Sequence, residues 1–120
     1  MTALKDALMK IGIGCQILDD IRDMARDHRE RRHNYVLSCL HGTADPYLRT
    51  LDERPPAIEE RLYVHVPHVT LPTARLAMQH LCAGLAGLRQ GGLEMRDSAM
   101  AGLAGSLFDV LDLGDLRYAL

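Results

Sequence analysis

Apolar side chains recur along this chain at three- and four-residue spacings, in segments separated by glycine and proline. The first segment is the longest. Leu8, Ile11, Ile13, Cys15, Ile17, Leu18, Ile21, Met24 and Ala25 cover most of a helical surface, so residues 3 to about 29 read as one helix of about 40 Å at 1.5 Å rise per residue. Gly12 and Gly14 weaken such a helix by up to ~1 kcal/mol each, and its length calls for packing on most sides. Residues 36–40 form a short apolar segment closed by His41-Gly42, after which Thr43 or Asp45 caps a short helix through Leu51. Arg54-Pro55-Pro56 is a break, residues 57–64 read as a helix, and Pro67 and Pro72 bracket an irregular stretch. Leu76, Leu81, Leu85 and Leu88 mark an amphipathic helix from 72 to about 90, ended by Gly91-Gly92. Leu103, Leu107, Val110 and Leu111 mark another from 94 to about 113, with Asp109, Asp112 and Asp115 at its end. The small residues Ala83, Gly84, Ala86 and Gly87, and Ala101, Gly102, Ala104 and Gly105, permit close helix approach. No strand pattern or internal repeat competes, so residues 1–120 are expected to form a single all-α domain, a helical bundle.

One helix face carries unusual chemistry. At 100° per residue Gln16, Asp19, Asp20, Asp23 and Asp27 fall within about 60° of a line through Asp23, with Gly12 on the same stripe. Solvated faces normally mix signs, because oppositely charged i,i+4 pairs stabilise a helix by roughly 0.2–0.5 kcal/mol. Here Asp19–Asp23 and Asp23–Asp27 are like-charged i,i+4 neighbours, while Arg22, Arg26 and Arg29 project away from the strip. Carboxylates crowded at an interior surface raise one another's pKa unless a cation neutralises them. Mg²⁺ takes oxygen ligands, often one or two carboxylates plus substrate phosphates, so the strip reads as a Mg²⁺–diphosphate site. The plainer reading is an acidic stripe facing solvent.

The pattern Gln16-x-x-Asp19-Asp20-x-x-Asp23 resembles the second aspartate-rich motif of polyprenyl diphosphate synthases, within the class I isoprenoid synthases. Asp23-x-x-x-Asp27, followed by Arg31, Arg32 and Tyr35, is also similar to the corresponding motif of squalene and phytoene synthases. The resemblance is specific over residues 12–35. It implies an all-helical fold around a deep cavity, and Mg²⁺-dependent prenyl transfer that ionises an allylic prenyl diphosphate, with isopentenyl diphosphate as acceptor in chain elongation. In it Asp19, Asp20 and Asp23 are catalytic, the same three and Asp27 hold the metal, Arg31, Arg32 and Tyr35 bind the diphosphate, and Gln16 and Gly12 line the cavity. The family's first aspartate-rich motif is absent from this sequence, so the resemblance implies the C-terminal part of such an enzyme. It would then work as a homo-oligomer or beside a complementary subunit carrying that first motif. The alternatives are a catalytically silent diphosphate-binding or regulatory subunit, a squalene/phytoene synthase-like condensing enzyme, and a plain helical interaction domain. For Arg31 and Tyr35 the competing reading is a surface basic patch paired with Asp27 and Glu30.

Composition narrows this picture. A net charge of −2 and a purely local arginine run give no basic face for nucleic acid. The three scattered cysteines form neither a disulfide framework nor a zinc motif. With no signal-peptide pattern and no apolar run of transmembrane length, a cytoplasmic location is expected. An aromatic content of 4% is low for a cyclase pocket. Three weaker patterns read as surface features: Glu30-x-x-His33 lacks the further ligands of a di-iron site, His65-x-x-His68 lacks a third ligand, and Arg117-Tyr118 is only a dipeptide.

Overall fold

In the computed structural model, which describes residues 2–120, the chain runs through α1 (Thr2–Arg22), α2 (Met24–Glu30), α3 (Tyr35–Gly42) and α4 (Tyr47–Glu53). A 3-10 turn (Leu62–His65) leads into α5 (Pro67–Gln90), α6 (Asp97–Val110) and α7 (Gly114–Tyr118). The fold is all-α, with no strand among the described residues. α1 lies along α5 in the most extensive pairing, and α3, α6 and α7 pack around α5. Ile17, Leu18 and Ile21 of α1, Met24 of α2, Val36 and Leu40 of α3, Ala77 and Leu81 of α5 and Phe108 of α6 share one core.

Glycines set the α1–α5 distance. A Cβ on Gly84 would lie 2.5 Å from the Ile11 side chain and 2.8 Å from the Ala7 carbonyl oxygen, and one on Gly87 would meet Ala7. Gly14, which in sequence reads as a weak point of its helix, lies under Leu81, where a Cβ would sit 2.8 Å from the side chain. Its missing side chain is a packing device. A Cβ on Gly12, by contrast, would meet nothing within 4 Å beyond its own helix.

Five expectations are corrected. The helix of residues 3–29 is bent at Asp23, which leaves helical geometry (φ −95°, ψ 16°) while its N–H still bonds the Asp19 carbonyl. Its continuation α2 ends at Glu30, close to the expected end near residue 29, where Arg31 is left-handed (φ 55°) and the Arg32 N–H returns to the Asp27 carbonyl. Residues 57–64 are not a helix, and only the 3-10 turn forms, anchored by Tyr63, whose hydroxyl donates to Asp115. Pro67 and Pro72 do not bracket a loop: Pro67 opens α5, where its missing N–H costs nothing, and Pro72 rides on the exposed side. The N-cap position of α4 is Pro46 rather than Thr43 or Asp45, although the Asp45 carboxylate, one residue earlier, accepts the Tyr47 N–H at 2.9 Å. The helix expected over 94 to about 113 is shorter, Asp97–Val110, because a turn at Asp112 (φ 60°) ends it and α7 follows as a separate short helix.

The molecule is elongated, 52 × 27 × 22 Å, with a radius of gyration of 15.7 Å against about 13.6 Å for a compact domain of this length. Much of α1 is consequently uncovered: Leu8 and Met9 are each 56% exposed, Ile13 44% and Leu4 41%. No helix among the described residues is long and apolar enough to cross a membrane.

The two kinds of glycine are expected to separate in a mutational test. Gly84→Ala should lower stability by about 1–3 kcal/mol in chemical denaturation, by overpacking against the α1 backbone. Gly12→Ala should leave it unchanged or raise it by up to ~1 kcal/mol.

Candidate functional site

The bend at Asp23 coincides with a division of the acid strip into two pairs. Asp20 and Asp27 are buried and face the start of α3. Asp20 Oδ2 accepts the Tyr35 N–H at 2.9 Å, and its Oδ1 accepts Gln16 Nε2 at 3.0 Å. Asp27 Oδ2 accepts Asn34 Nδ2 at 2.9 Å, and the same nitrogen donates to the Asp20 carbonyl oxygen at 2.7 Å. Asn34 Oδ1 in turn accepts the Val36 and Leu37 N–H groups at 2.9 and 3.2 Å, so this 2%-exposed side chain caps α3 and ties it to α1 and α2 at once. The signal for Asn34 lay in the sequence as an Asn directly ahead of an apolar helical segment, the usual N-cap pattern. Its further bonds to residues 7 and 14 positions upstream had no local signal.

Asp19 and Asp23 face outward. Arg22 does not project away from them as expected: Nη2 lies 3.0 Å from Asp19 Oδ1 and Nε donates to Asp23 Oδ1 at 3.0 Å. Folding back relieves the like-charge contact, at a surface position where such pairs are worth no more than about 1 kcal/mol. Burial lifts the Asp19 carboxyl above its usual range, Arg22 pulls it down, and Asp23, Asp20 and Asp27 push it up again.

Beyond Asp27 an open cleft of about 570 Å³ is lined by Asp27, His28, Arg29, Arg31, Arg32, His33 and Asn34, with α3 and α4 as its far wall. Arg31 and Arg32 therefore meet Asp27 in one cleft although the helix ends before them. Arg31 occupies the left-handed region that favours glycine, and Arg32 Nε pairs with Glu30 at 2.9 Å. Tyr35 reaches Asp20 only through its backbone, its phenol lying beside Cys39 and 40% exposed. A smaller cleft of about 310 Å³ is lined by Arg22, Asp23, Arg26, Arg61, Tyr63 and Asp112. Gly12 and Gln16 are exposed on the open face of α1, so this chain alone builds no cavity for them to line.

No group of three or more His, Cys, Asp or Glu side chains among the described residues is placed to hold a metal ion by itself. His68 Nε2 lies 2.6 Å from Asp45 Oδ2, while the His65 ring lies 6.0 Å from that of Tyr47. Asp112 and Asp115 pair with Arg61, and Arg117 pairs with Asp109 and lies over the Tyr118 ring. The donor chemistry nevertheless fits a hard cation at one point. Asp19 and Asp23 present outward carboxylates, and Mg²⁺ commonly takes one or two of these and completes its shell with phosphate oxygens and water. No protein-family model, curated protein or solved structure matches the chain.

Breaking the buried network and neutralising an outward acid should have different effects on stability. Asn34→Ala should lower stability by about 2–4 kcal/mol, because it leaves buried donors and the Asp27 carboxylate unpaired. Asp19→Asn should not lower the thermal midpoint. The sign follows from linkage: a carboxyl raised in the folded state disfavours folding above that raised value and ceases to do so as pH falls through it. Wild type should thus gain stability relative to Asp19→Asn on acidification through the raised Asp19 value, measured as melts over a pH series.

Proposed function

We propose that the chain is the diphosphate-binding part of a Mg²⁺-dependent prenyltransferase of the isoprenoid synthase kind, polyprenyl diphosphate synthase-like, acting on an allylic prenyl diphosphate. The observation that carries this reading is the grading of one helix face from apolar to anionic. Leu8 and Met9 are exposed beside Gly12, Gln16 follows, and Asp19 and Asp23 end the stripe. An amphiphile with a hydrocarbon tail and a metal-bridged diphosphate head matches that order. Asp19 and Asp23 would hold the ion. When bound, Mg²⁺ supplies neutralisation of the charge that builds on a departing diphosphate.

The residues of this chain have separable roles in that reading. Arg31 and Arg32, in the cleft beside Asp27, bind phosphate oxygens through planar donor forks suited to bidentate contact. Arg22 holds Asp19 and Asp23 in place of a cation and is free to swing to phosphate when one arrives. Asp20 positions the helix rather than ligates, since both of its oxygens already accept, from Tyr35 and Gln16, while Asp27 gives Oδ2 to Asn34 and borders the cleft of Arg31 and Arg32. Transfer further needs a wall over the apolar stripe and a second set of metal ligands, supplied by another copy or a complementary subunit. A second reading, diphosphate binding without turnover, is favoured by the same engagement of Asp20 and Asp27.

The test is calorimetric titration of inorganic pyrophosphate and of an allylic diphosphate, with Mg²⁺ and with EDTA, followed by a pyrophosphate-release assay. Binding should require Mg²⁺ and weaken at least tenfold in Asp23→Asn and in Arg31→Gly, although Arg31→Gly should fold more stably because it relieves the left-handed backbone. Equal affinity in wild type and Asp23→Asn, or binding indifferent to Mg²⁺, contradicts the reading. Binding without release selects the silent subunit.

A further inference from the structure

The uncovered face of α1 has a symmetry that its covered face lacks. Its exposed residues are centred on Gly12, where a Cβ would meet nothing within 4 Å beyond its own helix. Lys5 and Asp19 lie on that face, seven positions before and seven after Gly12, hence each about 10.5 Å from it at 1.5 Å per residue. Leu8 and Gln16 are likewise four positions to either side. Turned about a two-fold axis through Gly12, a second α1 would run antiparallel to the first and set Lys5 opposite the partner's Asp19 twice over. The leucines and methionines would flank the axis, and two glycines would meet where the helices come closest.

We infer that this face is a self-complementary docking surface whose occupant is α1 of a second copy of the chain. Three observations converge on a second copy. The charge order along the stripe, basic then apolar then acidic, pairs with its own reverse and repels a parallel partner. Leu4, Lys5, Leu8 and Met9 line a shallow depression able to receive apolar side chains. The accessible surface is 7432 Å², roughly 1,000 Å² above the ~6,450 Å² of a compact monomer of this mass, and a standard interface covers about 800 Å² per partner. The open face of α1, with Leu4, Leu8, Met9 and Ile13 exposed, contributes to that excess. The inference makes no use of the diphosphate reading: it rests on Lys5, Gly12 and Asp19 in metal-free protein, where Asp19 also pairs with Arg22, and a ligand laid along the same stripe would compete with the second copy.

Sedimentation velocity in EDTA across a concentration series tests it, with circular dichroism to show that every variant remains helical. Wild type should associate reversibly to a dimer and weaken as salt rises. Gly12→Leu improves helix propensity and meets nothing within one copy, yet should abolish the dimer. Lys5→Asp and Asp19→Lys should each weaken association at least tenfold, and the double variant carrying both should restore it. A monomer at all concentrations, a larger assembly, or a dimer unaffected by Gly12→Leu and by the charge exchange overturns the inference. Loss of pyrophosphate binding with the dimer intact would count against the functional reading alone.

Discussion

The side-chain amide of Asn34 is the contact on which the geometry of the N-terminal half depends. It is buried, uses both of its donors on Asp20 and Asp27, and accepts two of the otherwise unpaired N–H groups at the start of α3. A buried polar network is stabilising only when its members are satisfied, since an unpaired buried carboxylate is far more costly than an unmade surface bond. Here the network closes, and no buried side-chain nitrogen or oxygen among the described residues lacks a partner. α3 is thereby fixed against the bend between α1 and α2, and the cleft bearing Arg31 and Arg32 opens beside that junction.

This closure changes what the acid strip can be. A single-signed row of carboxylates suggested a surface needing a cation, because like charges at helical spacing repel. The repulsion is answered in two other ways. Asp20 and Asp27 are stabilised by N–H donors from α1 and from the start of α3, and Asp19 and Asp23 share Arg22. What remains for a ligand is a pair of outward carboxylates beside exposed apolar residues, a smaller site than the four acids implied. Such a pair suits an ion delivered with its phosphate better than one resident in the free protein.

The helical class, the acidic face and the long helices were legible because each is written in local periodicity. Leu81 and Leu85 mark the buried face of α5, and Gly91-Gly92 marks its end. The irregular joints were less legible. Arg31 adopts a conformation that glycine would signal and arginine does not, so the left-handed cap of α2 was invisible in the residue types although its end near residue 29 was expected. Pro67 reads equally as a breaker or as a first helical residue, and only the packing of Thr70, Thr73 and Ala74 into the core decides for the latter. Gln16 is a helical neighbour of Asp20, but Tyr35 and Asn34 lie 15 and 7 positions beyond Asp20 and Asp27, past the end of α2. The exposure of Leu8 and Met9 was hidden because periodicity reports apolarity and cannot distinguish a covered face from an open one.

The most direct test of this account is native-state hydrogen exchange at the amides of Tyr35, Val36 and Leu37. First-turn amides have no intrahelical acceptor, so their protection can come only from the side chains that receive them, Asp20 for the first and Asn34 for the other two. The account predicts that all three exchange only through opening of the core, as slowly as the amides of central α5 residues. Exchange of these amides at the rate of a frayed helix end, with α5 still protected, would contradict it.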